Sequence, residues 1–116
     1  MNKITFLDLV GFKKMAILKK YNISVQAASY AAYNGNLDVL KWARENGCEW
    51  DSSTCAWAAY NGHLEVLKWA RENGCEWNNW TCASAASNGR LEVLKWAHEN
   101  NCPCNDNSHI SMIKNM

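Results

Sequence analysis

The sequence repeats itself with a period of 27 residues, and this periodicity constrains the fold more than any other feature. Each copy contains an Asn-Gly dipeptide followed by the run Leu-(Asp/Glu)-Val-Leu-Lys-Trp-Ala, which begins at Leu37, Leu64 and Leu91. A cysteine then occupies the same slot in every copy, as Cys48, Cys75 and Cys102. A fixed period of this length is typical of architectures in which one small unit stacks on the next. We therefore expect the whole chain, 1–116, to form a single stacked domain.

The repeat register divides the chain into recognisable and eroded units. Recognisable repeats are predicted at 24–50, 51–77 and 78–104. Extending the register backwards aligns Val10 with Leu37 and predicts a degenerate unit over about residues 5–23. Extending it forwards predicts a half unit over 105–116. Repeat arrays need distinct end units, so we expect these two segments to cap the stack.

Within one unit, the residue pattern predicts two helices joined by a tight turn. From Ser53 to Asn61, hydroxyl residues suited to an N-cap precede small residues, and Gly62 ends the segment. From Leu64 to Asn73, apolar residues occupy two neighbouring rows of a helix. A helix that is apolar on two sides must lie between neighbours, so stability is expected to come from stacking. Asn101 replaces the glycine that ends this helix in the other copies, and asparagine tolerates the same left-handed conformation.

Charge and hydropathy exclude several classes of partner. Lys and Arg total 12 against 11 Asp and Glu, so the net charge of +1 supplies no strong field for nucleic acid or an anionic membrane surface. No apolar run approaches the roughly 20 residues of a membrane span. No export signal is visible, so we expect the six cysteines to be reduced thiols in a monomeric, intracellular, cytoplasmic protein.

No arrangement of residues points to catalysis or to a cofactor. The chain lacks His-Glu-x-x-His and Gly-x-Ser-x-Gly motifs, so we predict that it is not an enzyme and has no catalytic or metal-binding residues. The cysteines at 48, 75 and 102 are expected to be small buried groups. One local cluster, Cys102 and Cys104 with His109, has a spacing that is not diagnostic of zinc. A metal- or redox-responsive role for the cysteines stays open as an alternative function.

The best-formed unit resembles a known repeat. Residues 53–67 read Ser-Thr-Cys-Ala-Trp-Ala-Ala-Tyr-Asn-Gly-His-Leu-Glu-Val-Leu, with Gly74-Cys75 following. This resembles the Ala-Ala-x-x-Gly-His-x-Glu-Val core of the ankyrin repeat, over roughly residues 24–107. The resemblance implies an all-α solenoid of helix-turn-helix repeats. The family period is 33, so the β-hairpin finger between Gly74 and Trp80 is expected to be shortened.

The resemblance also suggests an origin and leaves a structural alternative. Short, Trp-rich units of this kind look like the ankyrin-like arrays of large DNA viruses, protists and algae, and a viral chain would act in the host cytoplasm. A generic α-solenoid of helical hairpins is the alternative fold.

Most tryptophans recur in fixed slots and are assigned to packing, whereas other slots vary between copies and are free for recognition. Trp42, Trp69 and Trp96 share one slot and are predicted to be core, while Trp50 and Trp77 are predicted to cover the seams between units. Packing does not determine the slots whose residue changes from copy to copy. These variable slots hold Tyr30, Trp57 and Ser84; Tyr33, Tyr60 and Ser87; Asn36, His63 and Arg90; and Ser53, Trp80 and Asn107.

The resemblance implies a non-catalytic protein–protein interaction module, an adaptor or scaffold that binds a partner through its concave face and the inter-repeat turns. Tyr33, Tyr60 and Ser87 follow Ala-Ala and would lie on that face, with Trp57 beside them. The turns would add a rim, made of Asp51, Ser52, Asn78, Asn79 and Trp80. Two other readings remain open: the tyrosines are ordinary half-buried residues, or the chain is a structural fragment of a longer array.

Overall fold

A computed structural model describes residues 24–104, which form six α-helices and contain no strand. The helices are α1 (Ser24–Tyr33), α2 (Leu37–Glu45), α3 (Ser52–Tyr60), α4 (Leu64–Glu72), α5 (Asn79–Ser87) and α6 (Leu91–Glu99). The predicted array of helical hairpins is confirmed for this region, and the turns between hairpins carry no β-finger. The predicted end units at 5–23 and 105–116 lie outside the described residues.

The second helix of each hairpin, α2, α4 and α6, supplies the large side chains of the core. Leu40, Leu67 and Leu94 are fully buried, at 0% exposure. An acidic residue stands in the first turn of each second helix and a basic residue in the last, which complements the helix dipole. The amphipathic pattern and the charge order are therefore enough to specify these helices locally.

The first helices, α1, α3 and α5, are built from small residues and pack side by side. In α3, the side chains of Cys55, Ala58 and Ala59 are completely buried. Small side chains allow the helix axes to approach closely, so the contact between adjacent repeats is dense in methyl and thiol groups. This packing leaves the other side of each first helix facing outward.

The helix N-caps differ from the sequence prediction. The Asp51 carboxylate accepts a hydrogen bond from the Ser53 N–H at 2.9 Å, and Asn78 Oδ1 accepts one from the Trp80 N–H at 2.9 Å. The prediction that hydroxyl residues cap the first helix is wrong, because Asp51 and Asn78 already hold the extended conformation of a cap. Thr54 consequently lies inside the first turn and is fully buried.

The seams between repeats are covered by paired tryptophans. Trp50 packs edge-to-face on Trp69 with ring centroids 5.7 Å apart, and Trp77 packs in the same way on Trp96 at 5.6 Å. Each seam tryptophan also carries an arginine over its ring, since the guanidinium carbon of Arg71 lies 4.3 Å from the Trp77 centroid. The structure agrees with the predicted seam role. Trp42, Trp69 and Trp96 are half-buried and not part of the fully buried core, and Trp69 and Trp96 lie at these seams.

The cysteines that recur after each second helix connect the two ends of a repeat. The Cys75 thiol donates to the carbonyl oxygen of Asp51 at 3.3 Å, and the Cys102 thiol lies 3.6 Å from the carbonyl oxygen of Asn78. Both contacts join the end of a second helix to the start of the first helix in the same repeat. Cys48, Cys75 and Cys102 are all buried, in agreement with the predicted packing role.

Candidate partner-binding surface

The first helices present one continuous outward surface that is rich in aromatic residues. The exposed large apolar side chains among the described residues all belong to α1, α3 and α5: Tyr30, Tyr33, Trp57, Tyr60 and Trp80. Trp80 is the most exposed of them, at 67%. Five large aromatic side chains left on one surface of a small domain mark it as a candidate binding site.

Three of these rings form a contact network. Trp57 packs edge-to-face against Tyr33 with centroids 5.5 Å apart and against Tyr60 at 5.4 Å. Tyr33 and Tyr60 lie 6.2 Å apart in a tilted arrangement. Edge-to-face pairs favour particular orientations, so each ring restricts the rotamers of the others. The network therefore holds the apolar surface in place before any partner binds.

Two grooves flank the Trp57 and Tyr60 side chains of α3. The groove between α1 and α3 has a volume of about 590 Å³ and the groove between α3 and α5 one of about 560 Å³. Residues of the first groove are Gln26, Ser29, Tyr30, Tyr33, Ser53, Trp57 and Tyr60. The second adds Ser52, Ala56, Asn78, Trp80, Ala83, Ser84, Ser87 and Asn88 to Ser53, Trp57 and Tyr60. None of these lining residues carries a charge.

Most of the predicted site residues line these grooves, and two do not. Tyr33, Tyr60, Trp57, Ser87, Ser52, Asn78 and Trp80 all line a groove. Asp51 and Asn79 are not among the lining residues. Asp51 instead caps α3, which gives it a structural role.

The structure adds groove residues that the sequence-based site did not include. Gln26 and Ser53 occupy the repeat slot of Trp80, while Tyr30 and Ser84 occupy the slot of Trp57. All four line a groove. The sequence signal for these four residues was the variation between repeat copies, because three of the four variable slots lie on the surface formed by the two grooves. We call this set the first-helix face: Gln26, Tyr30, Tyr33, Ser53, Trp57, Tyr60, Trp80, Ser84 and Ser87.

The fourth variable slot has a different role. His63 Nε2 lies 3.1 Å from the carbonyl oxygen of Tyr33, and Arg90 Nε donates to the carbonyl oxygen of Tyr60 at 3.2 Å. Both side chains thus reach back from one repeat to the end of the first helix in the preceding repeat. Asn36 instead caps its own helix by accepting from the Val39 N–H at 3.1 Å. This slot stabilises turns and repeat junctions.

A second constellation lies at the end of the described array. Cys82 and Cys104 form a disulfide with Cα atoms 5.6 Å apart, and His98 lies beside it. The expectation that every thiol is reduced is therefore wrong for this pair. The reason is steric, because Cys104 stands where the other repeats have a seam tryptophan and can instead reach α5. The predicted partner His109 lies outside the described residues.

Two of the remaining cysteines, Cys55 and Cys102, are poorly suited to nucleophilic chemistry. Burial raises the pKa of the Cys102 thiol to about 11. A hydrogen bond with Cys75, together with burial, raises the pKa of Cys55. The thiolate is the reactive form of cysteine, so these two groups stay protonated and inert near neutral pH.

Comparison with known protein families gives a match that covers most of the chain. A family model described as "Ankyrin repeats (3 copies)" matches residues 26–109, which is most of the chain. A search of curated proteins found no match. Within the part of the chain that the structure describes, no helix has the length and apolar character needed to cross a membrane.

Proposed function

Because the chain belongs to the ankyrin repeat family, whose repeats are generally protein–protein interaction modules and typically non-enzymatic, we propose that it binds a partner protein through the first-helix face. The chain would act as a non-catalytic adaptor. One observation carries the proposal: three of the four slots that vary between otherwise similar repeats converge on two adjoining grooves. The residue type at these slots is free to change because packing between repeats does not constrain it. A surface that recognises a specific partner needs such positions.

The chemistry of the grooves favours a protein partner. Tyrosine, tryptophan, serine and asparagine dominate the lining, a composition that also characterises antibody paratopes. Aromatic rings supply contact area with little rotamer entropy to lose, and hydroxyl and amide groups adapt to the polar atoms of a partner. A phosphate backbone would need lysine or arginine, and neither residue lines these grooves.

The surface is also organised before binding. Trp57 is held by the rings of Tyr33 and Tyr60, and the backbone at the end of α1 is held by the next repeat, where Asn61 Nδ2 donates to the Tyr33 carbonyl at 2.7 Å. Association normally costs free energy for ordering side chains and loops. A surface with these groups already ordered avoids part of that cost, so modest contact area could support useful affinity.

The test compares partner capture by matched variants. The variant Tyr33→Ser/Tyr60→Ser removes two rings from the face, and serine is tolerated in this slot because Ser87 already occupies it. The control Glu65→Ser/Lys95→Ser changes two exposed residues on the second helices. Each chain is immobilised, incubated with cytosolic extract and analysed by quantitative mass spectrometry, and circular dichroism verifies that each chain is folded.

We expect a protein that the wild type and the control retain and that the tyrosine variant loses. Purified partner should then bind the tyrosine variant more than about tenfold more weakly, as expected when hot-spot rings are removed. Equal retention by all three folded chains would contradict the assignment of the face. Absence of any protein that the folded wild type retains specifically would contradict the partner class.

A further inference from the structure

Three slots of the third repeat hold metal-ligating residues, and neither of the first two repeats has such residues in all three. Two of these slots differ from both earlier repeats, whereas the second repeat shares the cysteine of the first slot. The first of these slots holds Ala28, Cys55 and Cys82 in successive repeats. The second holds Arg44, Arg71 and His98, and the third holds Trp50, Trp77 and Cys104. In the first two repeats, the arginine and tryptophan slots form a cation–π contact at 4.3 Å. The third repeat lacks both members of that contact.

These three residues of the third repeat lie together in the structure. One ligand atom from each of Cys82, His98 and Cys104 lies within 4.8 Å of the other two. Cys82 is fully buried on α5, His98 is half-buried at the end of α6, and Cys104 follows α6. The Nε2 atom of His98 is shielded from solvent. Three ligands from three separated positions thus converge at one edge of the third repeat.

We propose that the dithiol form of this chain binds a zinc ion through Cys82, His98 and Cys104. Zinc takes cysteine sulfur at about 2.3 Å and histidine nitrogen at about 2.0 Å in a tetrahedral arrangement, so donors on one ion lie roughly 3.5 to 3.8 Å apart. The three donor atoms already lie within 4.8 Å of one another, so movements of about 1 to 2 Å after reduction bring them to that spacing. Two cysteine thiols release two protons on binding, and the two thiolates neutralise the charge of the ion. The fourth position is taken by water or by another donor.

The disulfide and the metal are alternative states of the same sulfur atoms. A disulfide has no thiolate to offer, so the ion binds only after reduction. A phosphine reductant supplies this step: the S–S bond breaks, phosphine and water become phosphine oxide, and two thiols form. The bound state therefore depends on the redox state of the pair.

The second repeat provides a natural control. Cys55 occupies the same slot as Cys82, but Arg71 and Trp77 stand where the third repeat has His98 and Cys104. Cys55 has the Cys75 thiol beside it, but no third ligand joins this pair among the described residues, and the guanidinium of Arg71 adds a repelling positive charge. Cys75 follows a second helix, and its thiol donates a hydrogen bond to the carbonyl oxygen of Asp51. Binding is therefore assigned to the third repeat alone.

The experiment is a cobalt titration of the full chain, reduced with a phosphine under argon. Co²⁺ reports thiolate ligation through charge-transfer absorption in the near ultraviolet, and added Zn²⁺ displaces it. The ligand variants use residues that the array already holds in these slots: Cys82→Ala, His98→Arg and Cys104→Trp. The matched control is Cys55→Ala, and circular dichroism verifies the helical fold of every chain.

We expect the reduced wild type and Cys55→Ala to bind one Co²⁺ per chain with a thiolate band that Zn²⁺ removes. Each ligand variant should bind more than about tenfold more weakly, since even residues that only support metal ligands contribute that much affinity. The unreduced disulfide form should give no band. No band in the reduced wild type, an unchanged band in folded Cys82→Ala and Cys104→Trp, or equal loss in Cys55→Ala would each overturn the proposal.

Discussion

A pair of glycine substitutions tests how adjacent repeats are joined. Gly35 and Gly89 occupy equivalent turns with left-handed φ angles of 69° and 67°. A Cβ atom at Gly35 would lie 2.5 Å from Nδ1 and 2.8 Å from Cγ of His63, which belongs to the next repeat. At Gly89, no atom of the described residues lies within 4 Å of the added Cβ. The two positions therefore share a backbone conformation but differ in their contact with a following repeat.

The expected free energies follow from this difference. Alanine in a left-handed turn costs about 1 kcal/mol at either position. At Gly35, the His63 ring must also move, which removes its contact with the Tyr33 carbonyl and costs about 1 kcal/mol more. We expect Gly35→Ala to lower the free energy of unfolding by about 2 kcal/mol and Gly89→Ala by about 1 kcal/mol. The corresponding falls in melting temperature are about 8 °C and about 4 °C.

The assay is urea and thermal unfolding followed by circular dichroism. A third comparison separates the two contributions, because Gly35→Ala introduced into a His63→Ala background should cost only the backbone strain of about 1 kcal/mol. Equal destabilisation by Gly35→Ala and Gly89→Ala, or an unchanged cost of Gly35→Ala when His63 is removed, would refute the claim that His63 joins the repeats at this turn.

Three further predictions concern the core. Leu67→Ala removes a fully buried side chain and should lower the free energy of unfolding by about 3 kcal/mol in urea titrations, whereas Lys68→Ala should change it by less than about 0.5 kcal/mol. Thr54→Val should raise the melting temperature, since the buried Thr54 Oγ1 has no hydrogen-bond partner among the described residues; a lower value would argue against this. Burial raises the pKa of the Cys102 thiol from 9.0 to about 11, so the unfolded chain loses this proton at a lower pH than the folded chain does. The free energy of unfolding should therefore fall as the pH rises from 9.0 to about 11, and urea titrations should show a less steep fall in Cys102→Ala.

Local residue patterns alone determined the helices and their order. The period of 27 residues, the amphipathic run after each Asn-Gly pair and the turn signals predicted the two helices of each unit. Asn101 adopts the positive φ of 66° that its glycine-like slot implied. Such features depend on contacts within a few residues of the chain, so one sequence contains enough information to predict them.

Only the tertiary structure decided which slots meet on a surface. Gln26, Tyr30 and Ser84 join the first-helix face because neighbouring first helices lie side by side with a particular rotation, which no local pattern specifies. The same reason explains Cys82, since it lies on a different helix from His98 and meets Cys104 only through the packing of α5 beside the end of α6. Periodicity encodes what each helix buries, whereas the relative rotation and spacing of packed helices determine which side chains from different repeats come together.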